Sequence, residues 1–149
     1  MMNEHITEWE HIVRPGADEA HYRGYLVSGA RLLQYVGDCI ACLSSAREGT
    51  GGLIANFNAN FKAEVHAMDE LHVKLKLEKM GNTSRIYSFT IMKTIEYAND
   101  GTYTATILEE PVLAVDAPWS WWSKPIDTLL RRISKHECKY WPPRWYPRP

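Results

Sequence analysis

The sequence predicts an α+β domain in which one antiparallel sheet curls around a single long central helix. Two observations carry this reading. Residues 26–45 are apolar on most sides, the pattern of a helix covered nearly all round. Between residues 53 and 115, four stretches alternate apolar and polar residues and are joined by short links, the pattern of antiparallel strands. A chain of 149 residues suits one domain with a core that needs neither disulfides nor a metal.

Residues 5–14 read as the first strand, closed by Pro15-Gly16, and residues 17–25 as a polar loop. The helix over 26–45 ends before the breaker Gly49-Thr50-Gly51-Gly52. Residues 53–65 alternate, with Ala55, Phe57, Ala59 and Phe61 on one face and Ile54, Asn56, Asn58 and Asn60 on the other. Residues 69–80 put Leu71, Val73, Leu75 and Leu77 inward and His72, Lys74, Lys76 and Glu78 outward. Gly81-Asn82 turns the chain into residues 84–97, and Asn99-Asp100-Gly101 turns it into residues 102–115. Residues 1–116 therefore form the domain. Residues 117–149 form an extension rich in tryptophan, proline and basic residues, with a short amphipathic helix expected over 125–139.

The net charge of −1 is uneven. Residues 123–149 hold seven Lys or Arg against two acids, a net +5, which leaves −6 on the rest. This basic segment fits an acidic partner or the acidic body of the same or a neighbouring subunit. Nothing in the pattern points to nucleic acid. No apolar run is long enough to span a bilayer, and Met1-Met2-Asn3-Glu4 has no signal-peptide core, so the cytoplasm is the expected compartment. Cys39 and Cys42 form a C-x-x-C inside the apolar helix and read as core packing rather than a redox or metal pair. No zinc-ligand spacing and no G-x-S-x-G elbow is present.

The candidate chemistry clusters where the polar loop enters the helix. His21 and Tyr22 lie just before it, and Val27, Ser28 and Gly29 bring backbone N–H groups to its start, a place that favours developing negative charge. Arg31, Tyr35, Asp38 and Cys42 share one helix face. Arg31 and Asp38 either bond to neighbours or serve a site, and a carboxylate in an apolar setting is a candidate acid or base. Glu109 and Glu110 point to opposite strand faces if that stretch is regular, with Glu109 toward the helix. The amide row that includes Asn58 either binds a ligand or faces solvent.

The run His21-Tyr22-x-Gly24-x-Leu26-Val27-x-Gly29-Ala30-Arg31 with Gly37-Asp38 resembles the β-aminoacyl-CoA ammonia lyases of the hotdog fold. Three collinear stretches resemble the same family: Ala63-Glu64-Val65 through Asp69, Lys79-Met80-Gly81-Asn82-Thr83-Ser84, and Glu109-x-Pro111-Val112-Leu113. The resemblance implies addition of ammonia or an amino acid amine to the β-carbon of an enoyl thioester, or the reverse elimination. It implies a homodimer or larger homo-oligomer and no cofactor beyond the coenzyme A or phosphopantetheine of the substrate. Coenzyme A phosphates and an acyl carrier protein are both acidic partners. On this reading the thioester carbonyl meets N–H groups near Val27, Ser28 and Gly29. Glu109 or Asp38 takes the amine proton, His21 or Tyr22 handles the α-carbon proton, and Arg31 locks Asp38 or holds a carboxylate of the amine. The alternatives are thioester hydrolysis in the same pocket and a non-catalytic module that docks a partner through its tail.

Overall fold

The computed structural model describes residues 3–98, 100–102 and 104–125, with side chains through Ala117. Its elements are β1 (Glu8–Val13), α1 (Gly29–Glu48), β2 (Gly52–Asn56), β3 (Asn60–Phe61), β4 (Glu70–Met80), β5 (Arg85–Tyr97) and β6 (Ala105–Pro125). The strands form one antiparallel sheet in the order β1-β4-β5-β6-β2, with β3 also on β6. The sheet lies around α1, as the alternation and the apolar helix predict.

The inward set of β4 is Leu71, Val73 and Leu75, all buried, with Leu77 half-buried, while Lys74, Lys76 and Glu78 are exposed. From β5, Tyr87, Phe89 and Ile91 join the same core. They pack on Leu32, Val36, Cys39, Ile40 and Leu43 of α1. Each such side chain contributes about 1.5–3 kcal/mol on burial, so helix and sheet form one cooperative unit. Burial pushes the Cys39 thiol up to about 12, which keeps it protonated and inert. The C-x-x-C is packing at Cys39, and Cys42 is half-buried one turn away.

Several boundaries differ from the sequence reading. The helix starts at Gly29, not residue 26, because Leu26 and Ser28 are extended and Ser28 is the N-cap. Its Oγ accepts the Arg31 N–H at 3.2 Å, a cap that stabilises a helix start by about 1 kcal/mol. The helix runs on to Glu48, where Gly49 takes the left-handed conformation (φ 69°) and closes it. The strand expected over 53–65 is split, because the four residue steps from Asn56 to Asn60 stand against six on β6, from Trp122 to Asp116. Between the two pieces Phe57 turns inward and its ring meets Phe89 at 6.3 Å. Ala55 and Phe61, expected on the same face as Phe57, are exposed. The last strand runs past residue 115 to Pro125, so residues 117–125 of the expected extension belong to the sheet. The helix expected over 125–139 and most of the aromatic tail lie outside the described residues.

Acid sensitivity follows from the carboxylates of the sheet. His72 beside Glu10 lowers its carboxyl, Arg14 does the same for Glu70, and Lys93 for Glu96, each from a usual value of 4.5. A carboxyl lowered by folding stabilises the native state above its unfolded value, and that contribution is lost as pH falls through the folded value. Urea midpoints are therefore expected to hold between pH 7 and 5 and to fall below about pH 4.5. Glu96→Gln should flatten the drop. An unchanged slope in that variant would remove Glu96 from the account.

Candidate active site

The loop before α1 is built by two short turns. Residues Ala17–Glu19 make a 3-10 turn, and Glu19 accepts the Gly16 N–H at 2.7 Å. Residues Arg23–Tyr25 make a second, with Gly24 (φ 76°) and Tyr25 (φ 60°) both left-handed. The chain then crosses the segment 65–67. Val27 N–H donates to the Val65 carbonyl at 2.9 Å, and Ala67 N–H donates to the Tyr25 carbonyl at 2.9 Å.

This sets the donors at the helix start. The Val27 N–H is committed to Val65, and the Arg31 and Leu32 N–H groups to Ser28. Among the described residues, the N–H groups of Gly29 and Ala30 have no partner. The expected N–H pocket is thus shifted one step: Ser28 caps, Val27 anchors, and Gly29 with Ala30 face outward as donors. The partial positive charge of a 20-residue helix adds to them. The half-exposed ring of Phe61 covers Gly29 so closely that a Cβ there would lie 2.9 Å from two ring atoms.

His21 and Tyr22 are exposed on the loop, and a backbone bridge ties Tyr22 to Leu26. Arg31 does not lock Asp38. Its guanidinium pairs with Glu19, donates to Gln34 at 2.6 Å, and lies over the Tyr35 ring at 5.3 Å from the centroid. Arg31 Nε and the Tyr35 hydroxyl are buried without a partner among the described residues, and burial raises the Tyr35 hydroxyl above its usual value. Asp38 is exposed on α1, not in the apolar setting expected of it. It stands seven residues beyond Arg31, about 10 Å along the helix.

Glu109 is exposed rather than buried against α1. Five residue steps on β6, from Ile107 to Val112, span two on β5, from Ile95 to Lys93. Glu109-Glu110-Pro111 fall in this bulge, both carboxylates are exposed, and the strict alternation that assigned them is lost. Asn58 is exposed between β2 and β3, and the Asn60 amide donates to Asp116 at 2.9 Å. His21, Tyr22, Val27, Ser28, Gly29 and Arg31 lie along the loop and helix start, Asp38 two turns beyond Arg31 on α1, Glu109 in the β6 bulge and Asn58 between β2 and β3.

A second cluster backs the segment 64–69. Asp69 is fully buried; Oδ2 accepts the His66 N–H at 2.8 Å and Oδ1 the Tyr97 N–H at 2.9 Å. Lys93 is 5% exposed. Its Nζ lies 3.7 Å from Asp69, 2.6 Å from Glu96 and 3.3 Å from the Glu64 carbonyl. Lys93 had a signal in the sequence, since it continues the inward set Tyr87, Phe89, Ile91 by two residues. No group of metal-ligating side chains is found among the described residues.

The thioesterase superfamily model matches residues 25–95. A curated relative, 3-aminobutyryl-CoA ammonia lyase from Acetoanaerobium sticklandii, is 36% identical over 107 residues, 70% of this chain and 85% of the relative. The solved structure of β-alanyl-CoA:ammonia lyase from Clostridium propionicum superposes with a TM-score of 0.73 at 28% identity, over 78% of this chain and 83% of that one. A hexameric acyl-CoA thioesterase shares the fold, with a TM-score of 0.60 at 14% identity, over 81% of this chain and 70% of that one. The chain belongs to the hotdog-fold thioesterase superfamily and, within it, to the family of the acyl-CoA ammonia lyases.

Proposed function

We propose that this protein forms and breaks a carbon–nitrogen bond at the β-carbon of a coenzyme A thioester, adding ammonia to an enoyl thioester and eliminating it in reverse. The single observation that carries the reading is the 36% identity to an ammonia lyase across 85% of that enzyme's length. The open N–H pair of Gly29 and Ala30 supports it with a fitting chemistry. In the addition, the amine lone pair bonds to the β-carbon and the double-bond pair moves toward the thioester carbonyl. That oxygen gains negative charge, which two fixed N–H donors at a helix start stabilise. The nitrogen then loses a proton to a carboxylate, and the α-carbon gains one from His21 or Tyr22.

A second copy supplies the carboxylate in this mechanism: Asp38 stands nine residues along α1 from Gly29, about 14 Å, and Glu109 is exposed in the β6 bulge. The free edge supports such an assembly. β2 is an outer strand whose Leu53 and Ile54 are 43% and 42% exposed, an unpaired apolar edge that invites another strand. Ile54 Cδ1 lies 3.8 Å from where a Gly37 Cβ would be, so a partner on β2 also covers the helix beside Asp38. Ile54→Glu should therefore convert the oligomer to monomer in analytical ultracentrifugation and abolish activity. A variant that stays oligomeric would move the interface elsewhere.

The direct test is mass spectrometry of products from an enoyl-CoA with and without ammonia, beside the saturated thioester. An amine adduct on the enoyl substrate alone is expected. Free acid from both thioesters, without adduct, would make the protein a hydrolase.

A further inference from the structure

A cavity of about 340 Å³ lies beyond the helix start, between the loop and the β5–β6 turn, lined by Tyr25, Met68, Tyr97 and Thr102 with Ala17 and Ala67. We infer that this cavity holds the nucleotide end of the coenzyme A thioester, with Arg23 on its phosphate. The inference rests on the lyase reading for the substrate and adds where its handle binds.

Two of the wall residues are strained. Tyr25 (φ 60°) and Met68 (φ 72°) are the only non-glycine residues with positive φ among the described residues. That conformation is costly for bulky side chains and concentrates at ligand sites. Both are held in it by the surroundings: Ala67 N–H donates to the Tyr25 carbonyl, and Met68 N–H donates to the Pro15 carbonyl at 2.7 Å. The result leaves large apolar side chains standing in solvent, Tyr25 at 55% and Met68 at 43% exposed. Two aromatic rings and a thioether around a cavity of this size suit a flat heteroaromatic ring.

Charge adds the direction. Arg23 sits two residues before Tyr25 on the same turn, is exposed, and has no ion pair among the described residues. By contrast, Arg14, Arg31, Arg85 and Lys93 are each committed to a carboxylate. An unpaired guanidinium two residues from the wall residue Tyr25 suits a phosphate. Next to the lining residues Gly101 and Thr102, Asp100 accepts from Thr102 and is held below the usual carboxylate range by those bonds. It repels phosphate there and leaves that side to the neutral ring. Tyr25 precedes Gly29 by four residues, no more than about 14 Å of extended chain. A pantetheine arm can therefore run from the cavity to the open N–H groups along the loop.

The test uses adenosine bisphosphate, the nucleotide end of coenzyme A, as a calorimetric probe needing no turnover. The wild-type protein should bind it, and Arg23→Ala should weaken binding about tenfold or more, the loss of a charge-assisted contact. Tyr25→Asn, which keeps the left-handed backbone accessible, should weaken it comparably. Both variants should raise KM for a coenzyme A thioester and leave kcat/KM for the N-acetylcysteamine thioester, which has no nucleotide, unchanged. No binding by the wild type, or equal losses on both thioesters, overturns the inference. If neither thioester reacts but the probe binds and both variants lose it, the cavity assignment stands and the lyase reading falls.

Discussion

Gly29→Pro should lower kcat by about 10²–10³-fold relative to Gly29→Ala, the range measured when one oxyanion donor is removed. The comparison with alanine isolates the donor. Either side chain meets the Phe61 ring, because a Cβ at Gly29 lies 2.9 Å from it, so both variants displace that ring. Only proline also removes the N–H. The backbone accepts the change: Gly29 is the first helical residue, where proline's φ is preorganised and its N–H is unpaired anyway. Ser28 before it is already extended (φ −67°, ψ 148°), the conformation a residue preceding proline prefers. Melting temperatures of the two variants should therefore agree while kcat separates. Equal kcat values would take the Gly29 N–H out of the reaction and leave the helix start as structure alone.

The residues that differ from the sequence reading share a physical cause. The alternation of β4 and β5 could be read because both strands have one face on the core, so side-chain chemistry and burial coincide. Glu109 was assigned by the same rule, but Glu109-Glu110-Pro111 lie in a bulge, where alternation no longer reports the face. Phe57 shows the opposite case. Its place on the aromatic face was legible, yet the break in pairing beside it was not, because six residue steps of β6 stand against four of the β2–β3 stretch and no local residue encodes that count. At the loop–helix entry the sequence reading placed the helix start three residues early, because the apolar Leu26 and Val27 continue the helix pattern while Ser28 caps it. The partner of Arg31 was missed. Glu19 is twelve residues upstream, and only the fold of residues 17–25 brings it there.

Asp69→Ala should destabilise the fold by about 3–5 kcal/mol, the cost of stranding two N–H donors and taking one carboxylate from the buried Lys93 ammonium. The melting temperature of a chain this size then falls by roughly 10 °C. Asp69 is fully buried, and its two oxygens accept the N–H groups of His66 and Tyr97 while facing the Lys93 ammonium. Alanine strands two buried donors and leaves Lys93 with Glu96 and the Glu64 carbonyl. The loss reaches the candidate site through one short path. Asp69 fixes His66, the neighbouring Val65 carbonyl holds the Val27 N–H, and Val27 precedes the cap of α1. Activity should therefore fall further than the unfolded fraction at the assay temperature explains, with kcat affected more than KM. Adding Lys93→Met to Asp69→Ala should recover part of the stability, because the buried ammonium that has lost one of its two carboxylates is then gone. If the double variant melts no higher than Asp69→Ala, the ion pair is not what holds this segment, and the two backbone hydrogen bonds to Asp69 carry the whole effect.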